Sequence, residues 1–148
     1  MINEIAAAIA LLCSINSSVC KAAQDATYGV RQVPAPAFAQ AEPGHIWLSA
    51  DVLNWSPADQ ALVIAHEARH VQDFADGLPY TFGYACYVFE SRGYTQQAQT
   101  YRALFGESYD PSKLVETVSR EVAIWADESG GSVTPGFMQL TRYRDVCR

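Results

Sequence analysis

Basic side chains are scarce in this 148-residue sequence: 10 Lys and Arg stand against 16 Asp and Glu, a formal net charge of −6. Nucleic acid as a partner is therefore excluded, because phosphate binding draws on a basic surface. Histidine is scarcer still, with only His45, His66 and His70, so a site built on imidazole has almost no choice of residues. The four cysteines, Cys13, Cys20, Cys86 and Cys147, form no CxxC pair, which removes a cysteine-only zinc knuckle. There is no internal repeat and no low-complexity tract. The most apolar stretch lies near the N-terminus, and at about twenty residues with polar interruptions it is a poor transmembrane span.

What is present describes a folded domain. Hydrophobic residues make up 49% and charged residues 18%, which is not the composition of a mainly disordered chain. The length fits a single domain, residues 1–148, that buries roughly two-thirds of its unfolded surface. Residues 5–13 resemble the apolar part of a secretion signal, but Glu4 precedes them without Lys or Arg and neither Cys13 nor Cys20 follows a good processing site. Ile2, Ile5, Ile9, Leu12 and Val19 recur at helical intervals, so residues 1–22 are expected to form a structural helix on their own domain, with a signal or anchor as the alternative. An even cysteine count with wide spacing allows two disulfides in three pairings. A bridge at Cys147 would tie down a chain end that otherwise frays. Disulfides imply a secreted or periplasmic protein; free thiols would suit the cytoplasm.

The turn-formers Gly29, Pro34, Pro36, Pro43 and Gly44 mark residues 27–44 as an extended, irregular connector. The apolar run at residues 45–49 is the best strand candidate. Ser56 and Pro57 open a helix as N-cap and first helical residue, and Gly77 with Pro79 ends it. A second helix is expected from about Tyr80 to Leu104, with a bend at Gly93. A third follows Asp110-Pro111 and reaches about Asp127, before Gly130 and Gly131. Residues 135–148 are ambiguous. The fold class is mostly helical α+β.

The chemistry is concentrated in His66-Glu67-Ala68-Arg69-His70, inside the first of these helices. Residues four apart share a helix face, so both imidazoles can meet one metal ion, and zinc accepts imidazole nitrogen well. Glu67 is placed to reach a metal-bound water and take its proton. At this composition HExxH arises by chance in about one sequence in a few hundred, so the helical context matters to the reading.

Residues 45–92 resemble the zincin metallopeptidases. The resemblance implies a minimal zincin-like domain in which a short edge strand, here residues 45–49, precedes the HExxH helix and pairs with extended substrate. A free strand edge does offer unpaired backbone groups to a peptide. Catalytic zinc usually has three protein ligands and a water. Glu90, twenty positions after His70, fits the glutamate of the gluzincin branch, and two antiparallel helices joined at residues 77–79 would return it to the histidines. The residue four beyond that glutamate is often an aspartate supporting a histidine ligand in gluzincins; here it is Tyr94.

Asp76 is the alternative third ligand, as in aspartate-using metzincins, although the glycine those proteins need three residues after the second histidine is here Asp73. Met138 could be a Met-turn or simple packing. Glu121, with Glu116 and Glu128, belongs to a charge series that also suits a solvated face. Asp73 could orient a histidine ring. Tyr94 is the possible oxyanion donor, with Tyr84, Tyr87, Tyr101, Arg92 and His45 as further candidates. Cys86 could approach the metal as a fourth ligand. These readings converge on a zinc-dependent peptidase or amidase holding one Zn2+ ion on His66, His70 and Glu90, with Glu67 as general base. Its substrate would be a protein, a peptide or a cell-wall cross-link. The alternative is a non-catalytic zinc-binding or interaction domain.

Overall fold

The structure is a computed structural model that describes residues 2–34, 36–80, 83–131, 133 and 147. Along the chain lie α1 (Ile2–Ser14), α2 (Cys20–Asp25), β1 (Thr27–Val30), β2 (Ala39–Glu42), β3 (His45–Leu48), a 3-10 turn (Ala50–Asn54), α3 (Pro57–Ala75), α4 (Tyr84–Phe105) and α5 (Leu114–Glu128). The protein is thus mostly helical α+β with one small sheet. Met138 and the ambiguous tail, Cys147 apart, lie outside the described residues.

The helix carrying HExxH is the centre of the molecule. The Ser56 hydroxyl accepts from the Asp59 backbone N–H at 3.2 Å, and Pro57 takes the first helical position, where its missing N–H costs nothing. Gly77, at φ +78°, closes the other end: its N–H donates to the Phe74 carbonyl and that of Leu78 to the Asp73 carbonyl. This pairing is the Schellman arrangement, and a residue with a side chain would be strained in Gly77's backbone conformation. Between the caps, α3 touches the other four α-helices as well as β2 and β3, and it is buried on almost every side. An all-round apolar face is what such a position requires, and Leu62, Val63, Ile64, Ala65 and Ala68 provide it.

The N-terminal segment is two helices rather than one. In α1, Ile5, Ala8, Ile9 and Leu12 are buried and pack the helix on α3. The chain then turns through Asn16, at φ +54°, and the Cys13–Cys20 disulfide joins the end of α1 to the start of α2. No helix among the described residues is long and apolar enough to cross a membrane.

Further expectations need correction. Residues 27–44 are not simply an irregular connector, because β1 and β2 lie within them. The strand at residues 45–48 exists, but it is not an edge: the order is β1-β3-β2, with β1 parallel and β2 antiparallel to the central β3. The hairpin turns at Pro43-Gly44, and Gly29 lets the Trp47 ring lie against β1, where an added Cβ would come within 2.3 Å of that ring. α5 starts at Leu114 rather than at Pro111, since the Asp110 carboxylate caps a separate turn through the Ser112 N–H and hydroxyl.

α4 likewise begins at Tyr84, later than Tyr80. The Cys86–Cys147 disulfide pins its first turn to the C-terminal end of the chain, and the Gly83 N–H donates to the Cys147 carbonyl at 2.6 Å. Further along, the fully buried Asp73 of α3 accepts two hydrogen bonds from Arg92 of α4, each 2.8 Å, and one from Arg69 at 3.2 Å. A buried carboxylate is costly unless its lone pairs are taken up, so this bidentate pair fixes how α3 and α4 sit against each other. Arg92→Ala strands the buried carboxylate with one weaker partner and is expected to destabilise the fold by about 3 kcal/mol, whereas Arg69→Ala should cost about 1 kcal/mol. Urea unfolding of both variants measures this, and near-equal small losses would contradict the clamp.

Candidate metal centre

His66 and His70 emerge one turn apart on the face of α3 that meets α4, and Glu90 faces them from α4. The His66 Nε2 and His70 Nε2 atoms are 3.0 Å apart, and the Glu90 Oε2 lies 3.6 Å from the first and 3.5 Å from the second. Ligands about 2.0–2.1 Å from a tetrahedral ion stand about 3.3–3.4 Å from one another, so these three atoms fit around one such ion. Among the described residues they form the group of three that could hold a metal.

Four neighbours set the histidine rings. Gly93, one turn after Glu90, has no side chain where a Cβ would come within 2.8 Å of His66 Nε2 and 2.9 Å of His70 Cε1. The Tyr94 ring meets His66 edge-on at 4.4 Å, and Phe89 stacks on His70 at 4.3 Å and 6°. Gln97 Oε1 stands 3.1 Å from His66 Nδ1, while His70 Nδ1 is buried with no hydrogen-bond partner among the described residues.

Glu67 is buried beside this group. Burial pushes its carboxyl up to about 7; the charge on His66 opposes the shift and that on Glu90 adds to it. Burial also acts to raise Glu90, but the charge that His70 carries when protonated, the hydrogen bonds of both histidines and the like charge of His66 outweigh it and hold Glu90 well below the usual carboxylate range. Glu90 thus remains ionised as a ligand must, while Glu67 sits where a carboxylate can both take and return a proton.

The group opens into a cavity of about 470 Å³. Its floor is α3; β2 and the preceding loop form one wall, and Leu114, Val115 and Val118 of α5 form part of another. All four β2 residues line the cavity. The Ser49 N–H donates to the Phe38 carbonyl, which makes residues 38, 40 and 42 the hydrogen-bonded partners of β3 by antiparallel alternation. Ala39 and Ala41 therefore turn their N–H and C=O groups outward along the sheet's free edge.

Several candidates named from sequence lie elsewhere. Asp76 is exposed at the C-cap of α3 and does not belong to the metal group. Cys86 is disulfide-bonded, so it offers no thiolate. Asp73 orients no histidine, since its oxygens receive Arg92 and Arg69, and Arg92 is thereby engaged as well. His45 stacks on Trp47 at 4.5 Å, and the Tyr101 hydroxyl donates to the Ser108 carbonyl. Tyr84, Glu121 and Glu128 are exposed, and buried Glu116 accepts from the Asp110 N–H. Tyr94 does line the cavity.

Sequence reasoning missed Gly93, Gln97, Tyr80 and the β2 edge. A glycine inside a 22-residue helix was a signal, because it costs the helix about 1 kcal/mol relative to alanine. Gln97 lies seven residues beyond Glu90, on the same helical face. Tyr80 packs on Phe89 at 4.6 Å and lines the cavity; its phenol is raised by burial and then by the charges of Glu90 and Glu67.

Gly93→Ala is expected to keep the helical circular dichroism yet weaken zinc binding at least tenfold, because the rings must move to admit the methyl group. Isothermal titration with zinc checks this; undiminished affinity would contradict the packing described. Compared with protein-family models, curated proteins and solved structures, the chain matches none of them.

Proposed function

We propose that the protein is a zinc-dependent peptidase or amidase of the gluzincin type, in which His66, His70 and Glu90 hold one zinc ion and Glu67 is the general base. The observation that carries this reading is the convergence of three ligand atoms separated by 3.0–3.6 Å next to a buried fourth carboxylate, at the floor of a cavity. Bound zinc would supply acidification of a water and polarisation of the scissile carbonyl.

The chain's own groups account for the rest. Glu67 accepts a proton from the water that attacks the carbonyl carbon and returns it to the amine as the C–N bond breaks. Water is thereby added across the amide and Glu67 ends unchanged. An extended substrate can pair with the outward backbone groups of Ala39 and Ala41, which holds its carbonyl over the site. Tyr94 and Tyr80 border the cavity with phenols able to donate to developing negative charge.

A structural zinc site would close its shell with a fourth ligand, and neither Cys86, bridged to Cys147, nor Asp76, exposed and outside the group of three, supplies one. That favours catalysis over a zinc-binding or interaction domain without turnover. The two disulfides agree with a secreted or periplasmic setting, where a protein, a peptide or a cell-wall peptide cross-link would be the substrate.

Glu67→Ala should retain one equivalent of zinc and lose cleavage by about 10³-fold, read by mass spectrometry on end-blocked peptides. Zinc-loaded wild type that cleaves no peptide or cell-wall cross-link, or a variant as active as wild type, would sink the proposal. Ala41→Pro removes one outward N–H without touching the β3 pairing. It is expected to raise KM about tenfold with kcat little changed.

A further inference from the structure

The hydrogen bonds behind His66 have only one consistent direction. Ser119 Oγ lies 2.6 Å from the Val115 carbonyl, which can only accept, so the serine proton goes there. The same oxygen must then accept from Gln97, whose Nε2 is 2.7 Å away. That orientation turns Gln97 Oε1 toward His66 Nδ1 at 3.1 Å. An amide oxygen only accepts, so Nδ1 carries the hydrogen of the neutral ring and Nε2 keeps its lone pair. It is Nε2 that points at His70 and Glu90.

All three side chains are buried: His66 at 7%, Gln97 at 6% and Ser119 at 0% exposure. Water therefore offers these groups little competition, and reversing the relay would leave the Ser119 and Val115 oxygens 2.6 Å apart with no proton between them. The other histidine is held differently, by stacking on Phe89, with no partner on its Nδ1 among the described residues.

We propose that Gln97 is a positioning residue that acts through His66, anchored by Ser119, and that it fixes the imidazole tautomer the metal needs. The proposal rests on the metal-site reading above. It makes the site depend on three helices: α3 and α4 supply the ligands, and the backbone of α5 decides which nitrogen of His66 is free. Val115, whose carbonyl ends the relay, also lines the cavity, so the wall facing substrate and the support of the ligand are one piece of helix.

Two measurements on wild type, Gln97→Leu, Gln97→Glu and Ser119→Ala test it: 15N NMR of the His66 ring without metal, and zinc affinity by chelator competition. Wild type is expected to hold the Nδ1–H tautomer. Gln97→Leu should mix the tautomers and bind zinc about 10–100-fold more weakly. Gln97→Glu preserves an acceptor at Nδ1 but gives up the donor to Ser119; it should keep the Nδ1–H tautomer and, like Ser119→Ala, bind zinc with an affinity between those of wild type and Gln97→Leu. A leucine variant that binds zinc as tightly as wild type, or an Nε2–H tautomer in wild type, would overturn the proposal. If Gln97→Leu does not fold, an Nε2–H tautomer in Gln97→Glu or full affinity in Ser119→Ala would do so instead. Wild type that holds the Nδ1–H tautomer but binds no zinc would overturn the metal reading while upholding the tautomer lock.

Discussion

The seam between α3 and α4 is the constraint on which the rest of the structure depends, and Asp73 is its fixed point. Its carboxylate is wholly buried and accepts from two nitrogens of Arg92, Nε and Nη2, across the seam. Glu90 lies two residues before that arginine, and His70 lies three before the aspartate. A slip of one helical turn, about 5.4 Å, would carry Glu90 out of reach of both imidazoles. The cap at Gly77 and the Cys86–Cys147 bridge constrain the facing ends of the two helices. The chain thus places a buried bidentate ion pair, a helix cap and a disulfide beside the three donors.

Around that seam the site is asymmetric in a useful way. On one side, backbone groups of β2 face the cavity in the spacing of an unfinished sheet. On the other, α5 presents apolar Leu114, Val115 and Val118. Between them lie two carboxylates with opposed tendencies: Glu90 is drawn toward its charged form by the histidines, and Glu67 is pushed toward its neutral form by burial. Such a divergence between neighbouring acids is what the proposed division into a ligand and a proton carrier would require.

What could be read from the sequence was what depends on local spacing. His66 and His70 share a helix face by the geometry of one turn, and Ser56-Pro57 and Gly77 delimit that helix through capping alone. Glu90 needed one further step, the return of a second helix across a short connection, and the structure does bring it to the histidines. The edge was misplaced because β2, Ala-Gln-Ala-Glu, has none of the β-branched or aromatic residues that mark a strand. It exists through pairing with β3, which no local pattern records. Asp73 has the spacing of a second partner to His70, yet its side chain turns to the arginines. Gly93 and Gln97 left only faint signals, a glycine inside a helix and a shared face with Glu90, since their importance comes from the rotation of α4 about its own axis against α3.

X-ray absorption spectroscopy of the zinc-loaded protein reads out the atoms that surround the metal. One equivalent of zinc is expected, with two imidazole nitrogens, one carboxylate oxygen and a further light atom, at about 2.0–2.1 Å, and without sulfur. A sulfur scatterer near 2.3 Å, a single imidazole, or failure to bind zinc stoichiometrically would contradict the account.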